Sequence, residues 1–229
     1  EERTSEIIDL NQEYGMARLI KSEEEFEWLK IGAVLSDLSY ESLLENTQIG
    51  DDERLLGDHV ERSYLKWGAT NLIHFFGVTN MANPDCCVPR QWPLTRSISK
   101  GDIIFTEISA DFWDYSGQIL RTFTVGEEPT PLYRDLHFTA EKTFDEIMKV
   151  LKPGTSAEDI FNATGVIEES GFSIYDDLVH GYGGGYLQPI LGCKSRPAGP
   201  IPDLVLKTGM CMVVQPNIIT TDQKAGVQT

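Results

Sequence analysis

A chain of 229 residues with 41% hydrophobic and 24% charged residues is long enough to bury a core and reads as soluble and globular, long for one domain but not excluded as one. Its formal net charge of -17 argues against nucleic acid and anionic membrane as partners, since the average surface repels both. Cys86, Cys87, Cys193 and Cys211 make no CxxC pair and no spaced zinc pattern, no apolar run approaches the roughly 18 residues of a membrane span, and no signal peptide opens the chain, so a cytoplasmic protein with reduced thiols is expected.

Ser22, three residues before Glu25, makes a capping-box pattern and opens an amphipathic helix in KSEEEFEWLKIGAVLSDLSYESLLEN, with Trp28, Ile31, Val34, Leu35 and Leu38 on one stripe. A second helix is expected from Asp51 to Trp67, stopping at Gly68, and a strand follows in TNLIHFFGVT. Asp102 to Ala110 and Gln118 to Val125 read as the two strands of a hairpin, with Asp111, Asp114 and Tyr115 in a solvated turn. Leu136, Ala140, Phe144, Ile147, Met148 and Leu151 form the stripe of a helix ending at Pro153-Gly154, and Thr155 with Glu158 caps the next, which stops at Gly171. Strand-like segments around Ser173 to His180 and Met210 to Ile219 are separated by a Pro/Gly-rich loop from Arg196 to Pro202. Helices interleaved with hairpins define an α+β domain with a largely antiparallel sheet.

One stretch concentrates glycine beside an imidazole: DDLVHGYGGGYLQPILG, with His180 followed by Gly181, Gly183, Gly184 and Gly185. Glycine is retained where φ is positive or where another group comes close, so this is a tight turn or a pocket floor, expected to leave His180 open to whatever binds. Taken with KSEEEFEWLKIGAVLSD, GDIIFTEISADFWDYSGQILRTFTVG and GMCMVVQPNI, it resembles the pita-bread family of creatinase, aminopeptidase P and methionine aminopeptidase over nearly the whole chain. The resemblance implies a pita-bread fold, a curved, mainly antiparallel sheet backed by helices. It further implies one catalytic-type domain over 1–229, with 1–20 a linker or extension, a separate N-terminal domain absent, a C-terminal end cut short, and a homodimer.

In the metallopeptidases of that family the hairpin carries two metal-binding aspartates, a histidine opens a His-Gly-x-Gly run, a glutamate precedes Pro-Gly or Pro-Asn, and a last glutamate follows. Matching on Gly101-Asp102, Arg121-Thr122-Phe123, His180-Gly181 and Pro216-Asn217, those places hold Glu107, Gln118, His180 and Gln215, with Glu107 and Gln118 eleven residues apart as the pattern requires. The last glutamate falls just past Thr229. A dinuclear site needs several anionic oxygens, and an amide supplies a dipole rather than a charge, so Gln118 and Gln215 remove two of them. No metal is therefore expected, and if one binds, Glu107 and His180 are its ligands; Mn, Co, Fe or Zn is the alternative.

The leading reading is a metal-independent, creatinase-like hydrolase or lyase acting on a small polar substrate, with His180 as proton shuttle and Glu107 as its acid or base partner. Gln118 and Gln215 can donate and accept toward that substrate, Arg90 and Trp92 hold and stack on it, Tyr182 and Tyr186 offer phenols, and His74 stands at the pocket wall. Arg90 occupies the region where the family carries a helper histidine. Two alternatives stand beside it: an Xaa-Pro-type metallo-exopeptidase with altered ligands, and a catalytically inactive peptide-binding module. Each residue also has a bland reading: His180 a core histidine, Glu107 a surface carboxylate, the two amides remnants, and the others ordinary packing.

Overall fold

In the computed structural model, which describes residues 8–229, the stretch expected as a linker carries a short helix, α1 (Asn11–Ala17). The Ser22 hydroxyl accepts from the Glu25 backbone N–H, and the Glu25 carboxylate accepts from Ser22 N–H at 2.8 Å, so the capping box launches α2 (Glu23–Asn46) as expected. The expected stripe faces inward only in part, at Leu35 and half-buried Trp28. Ile31, Val34 and Leu38 are exposed, while Leu29, Gly32, Leu35, Ser36, Ser39 and Leu43 are buried. The reason is close approach: a Cβ at Gly32 would lie 2.6 Å from the Tyr115 carbonyl oxygen and 2.8 Å from the Gly117 nitrogen, so α2 rests backbone to backbone on the hairpin. The buried face combines Leu29, Leu35 and Leu43 with the small Gly32, Ser36 and Ser39, and Ile31, Val34 and Leu38 are left outside.

Helix α3 (Leu55–Tyr64) runs through a 3-10 turn (Leu65–Trp67) to Gly68, whose φ of 83° ends it. The first sheet follows, with β1 (Thr70–Asn80) antiparallel to β2 (Asp102–Phe112), and β3 (Tyr115–Ser116) and β4 (Ile119–Thr124) both paired with β2. Trp113 and Asp114 make the hairpin turn with positive φ. Alternation along β2 sends Ile104 and Ile108 into one core with Leu56, Val60 and Tyr64, and Ile103 and Phe105 into another with Tyr133, Leu136 and Ile147.

On α4 (Pro131–Val150) the buried face is Tyr133, Leu136, Thr139, Ala140, Thr143 and Ile147, leaving Phe144 and Met148 of the expected stripe largely outside. The next cap is one residue later than expected: Ser156 and Asp159 form the capping box, while the Thr155 hydroxyl donates to Val150 O. The single helix expected there is split into α5 (Ala157–Asn162), a 3-10 turn (Ala163–Gly165) and α6 (Val166–Ser170), stopped at Gly171. Two more three-stranded antiparallel sheets complete the fold. One orders β7 (Tyr186–Leu191), β6 (Val179–Tyr182) and β8 (Cys211–Val214); the other orders β10 (Gly226–Gln228), β9 (Asn217–Ile219) and β5 (Ser173–Ile174). Among the described residues no helix is long and apolar enough to cross a membrane.

Candidate active site

Register places Glu107: in β2 it pairs with Phe75 of β1 and Leu120 of β4, on the face that carries Ile103 and Phe105. Gln118 sits in the break between β3 and β4, and Gln215 lies just past β8. The Gln118 amide nitrogen donates to Glu107 Oε1 at 2.9 Å and to Gln215 Oε1 at 3.1 Å, which uses both of its hydrogens. Gln215 in turn donates to the Asp177 carbonyl at 3.3 Å and toward its carboxylate at 3.4 Å. Asn217 fixes that turn from below, donating to the Asp177 carbonyl at 2.7 Å and accepting from the Tyr175 and Asp176 N–H groups.

His180 joins the same cluster from β6, where a bulge falls between it and Gly181. Its ring stacks on Tyr186 with centroids 3.9 Å apart and an interplanar angle of 22°. Nδ1 donates to the Gly181 carbonyl at 3.0 Å, so Nε2 is the bare nitrogen, and it is buried without a hydrogen-bond partner. Burial pushes the imidazole below its ordinary pKa, keeping it neutral. The Tyr186 hydroxyl donates to Asp177 Oδ1, and burial followed by that carboxylate raises the phenol. Burial raises Asp177 to about 6. Burial, then Asp176 and Asp177, raises Glu107 to about 7, with the Gln118 hydrogen bond opposing.

The glycine run differs from expectation. His180 is fully buried, and Gly183 and Gly184, both at positive φ, lie under the Lys21 and Arg18 side chains, where any Cβ would collide. The three glycines, all at positive φ, make the tight turn between the paired Tyr182 and Tyr186, and do not leave His180 open to a ligand.

Other expected site residues stand apart. His74 faces the helix layer, where its Nε2 lies 2.7 Å from the Tyr64 hydroxyl; its neighbour Phe75 faces Glu107 instead. Both faces of β1 are covered, so apolar alternation could not assign the side. Trp92 is 75% exposed and Arg90 is held near Cys86, Glu53 and Asp85; Val88 and Pro89 of the same loop border the site. The Tyr182 hydroxyl pairs with Ser116 Oγ at 2.5 Å, with its ring edge-on to His180 at 5.7 Å. Asp177, Asn217 and Gln228 were not singled out from the sequence, although the Asp-Asp pair three residues before His180 was a usable signal.

Three cavities meet this cluster, one of them, of about 390 Å³, bordered by Asp177 and Tyr186. A groove of about 860 Å³ between α2 and α4 takes in Gln118 and Tyr182, but Glu107, Gln215, Asn217 and Gln228 border a smaller one of about 170 Å³. The carboxylate and amide groups converge on the 170 Å³ cavity, which is the candidate site.

The fold is that of a pita-bread domain, and residues 27–229 match the model of Metallopeptidase family M24. The chain belongs to that family. It is 25% identical over 205 residues to a Xaa-Pro dipeptidase of Pyrococcus furiosus, covering 88% of this chain and 56% of that protein. The prolidase structure from Pyrococcus furiosus superimposes with a TM-score of 0.81 at 22% identity, over 96% of this chain and 63% of that one. The X-Pro aminopeptidase of Thermotoga maritima gives 0.81 at 20% identity, over 97% and 61%. The chain thus spans little more than half the length of the curated relatives it matches.

A metallopeptidase family implies divalent ions, and the donor set tests that implication. Of the four matched positions only Glu107 and His180 offer an anion or an imidazole, and Gln118 directs its NH₂ group at the oxygens of Glu107 and Gln215. Among the described residues no three His, Cys, Asp or Glu side chains are grouped to hold a metal ion. These residues do not fit a two-ion centre.

Proposed function

We propose that this chain carries the site of an Xaa-Pro-type exopeptidase with altered ligands, acting on short peptides. The observation that carries the reading is the family match over residues 27–229, with Glu107, Gln118 and Gln215 joined by hydrogen bonds and His180 stacked on Tyr186, whose hydroxyl donates to the Asp177 carboxylate beside Gln215. The naming of its relatives as Xaa-Pro dipeptidases favours this over the creatinase-like substrate expected from sequence.

Within the cluster, Glu107 and Asp177 are both raised by burial toward neutrality, and Gln118 holds the Glu107 carboxylate in place. The bare Nε2 of His180 is an acceptor whose ring is fixed by Tyr186 and Gly181. The amide bridge favours a second reading, in which protein groups alone carry the proton transfers.

The test is proline release from a panel of Xaa-Pro dipeptides by the full-length protein, with Pro-Xaa dipeptides as controls. Release restricted to Xaa-Pro and lost in His180→Ala is expected; no release from any Xaa-Pro dipeptide overturns the reading. Because His180 is fully buried, the alanine variant also leaves a cavity and should cost about 2–3 kcal/mol in denaturant melts.

A further inference from the structure

His180 is a group of the site that a ligand has to reach, yet it is fully buried. Its bare Nε2 lies in the interior without a hydrogen-bond partner. Two of the groups around the ring are fixed: Tyr182, edge-on at 5.7 Å, is 8% exposed and tied to Ser116 Oγ, and Val213, the pairing partner of His180 in β8, is equally buried. Tyr186 is different. Its ring covers the imidazole face at a centroid distance of 3.9 Å, yet the residue is 52% exposed and borders the cavity of about 390 Å³. The cover over His180 is thus a half-exposed side chain with open space beside it.

We infer that Tyr186 is a latched gate over His180, closed in this conformation and opened by turning its side chain into the 390 Å³ cavity. The latch is the hydrogen bond from the phenol to Asp177 Oδ1, and a carboxylate acceptor makes it one of the stronger kind. Asn217 holds the Asp177 carbonyl at 2.7 Å, so the acceptor stays in place while the donor moves. Gln215 donates toward the same carboxylate at 3.4 Å, which joins the latch to the amide bridge. Tyr186 opens β7 and its backbone pairs with Tyr182, so the part free to turn is the side chain and not the strand. In the cavity Arg196, 5.0 Å over the Tyr175 ring, offers a guanidinium against which the displaced phenol can rest. Two positions of one side chain make a two-state element, and a ligand that touches the imidazole binds only the open state and shifts the population toward it. The inference rests on His180 belonging to the site assigned above and adds how access to it is controlled; it does not depend on which bond is cleaved.

The experiment exposes the full-length protein to pulsed hydroxyl radicals, which add to the face of an imidazole wherever solvent reaches it, and reads each histidine separately by peptide mass spectrometry. His137, with its side chain 46% exposed, sets the fast rate, and buried His59 and His74 set the slow one. In the unaltered protein His180 should fall with the slow pair. Tyr186→Phe keeps the ring and removes the latch, and should raise His180 oxidation about tenfold. Tyr186→Ala removes the cover as well and should bring His180 close to the His137 rate, with His59 and His74 still slow and the fold of each variant checked by circular dichroism. An unchanged His180 rate in either folded variant, a rise shared by His59 and His74, or His180 already as fast as His137 in the unaltered protein would each overturn the inference. A His180 that responds in a protein releasing no proline from Xaa-Pro dipeptides upholds the gate and strikes only the peptidase reading.

Discussion

Gln118 decides how the centre of this molecule behaves. A carboxylate in its place would add charge beside Glu107; the amide instead donates to Glu107 and Gln215 and ties them together. The burden then falls on Glu107, raised from 4.5 to about 7, chiefly by burial and then by Asp176 and Asp177. The folded state binds that proton more tightly than the unfolded chain does, so ionising Glu107 costs stability as pH rises from about 4.5 through 7. Glu107→Gln keeps the acceptor for Gln118 and removes the charge. Its melts should match the unaltered protein near pH 4 and exceed it by about 1–3 kcal/mol near pH 8. A gap independent of pH would show that Glu107 titrates as an ordinary surface carboxylate. Regular alternation in β2 puts this residue on the face of Ile103 and Phe105. The same alternation could not serve His74, since β1 is packed on both faces and has an irregularity between Asn71 and Ile73.

At the scale of elements, start signals were more legible than buried faces. The Ser22 and Glu25 box is a local pairing of side chain and backbone, readable from two residues, and it stands where expected. The α2 face was misread because its contact is made by absence of side chain: Gly32 lets the helix reach the hairpin, and Ser36 donates to Gly117 O at 2.9 Å from the same side. Gly32→Ala should therefore cost about 2–3 kcal/mol, since backbone on both sides of the contact must move. Gly15→Ala, in α1 with nothing within 4 Å, should be neutral or stabilising by up to about 1 kcal/mol in the same melts. Equal effects of the two would remove the close approach as the reason for the exposed stripe. Strands β7 and β10 went unread for different causes: β7 follows three glycines and contains Pro189, and β10 has only three residues.

For the whole molecule, resemblance in the order of motifs carried the fold, while the chemistry needed coordinates. The sequence spacing lined up Glu107, Gln118, His180 and Gln215, but nothing in it could say that Gln118 bridges its neighbours or that His180 is sealed beneath Tyr186. The expected homodimer remains a proposal about assembly, and light scattering of the full-length protein should give twice the chain mass at micromolar concentration; a monomer mass contradicts it. The central claim is that these four positions make an amide-bridged site and not a two-ion centre. Metal content tests it most directly: equilibrate the full-length protein with excess manganese, desalt it, and measure manganese per chain by elemental mass spectrometry. The account predicts well below one ion per chain, rising only when Gln118→Asp and Gln215→Glu are combined; two tightly held ions in the unaltered protein would contradict it.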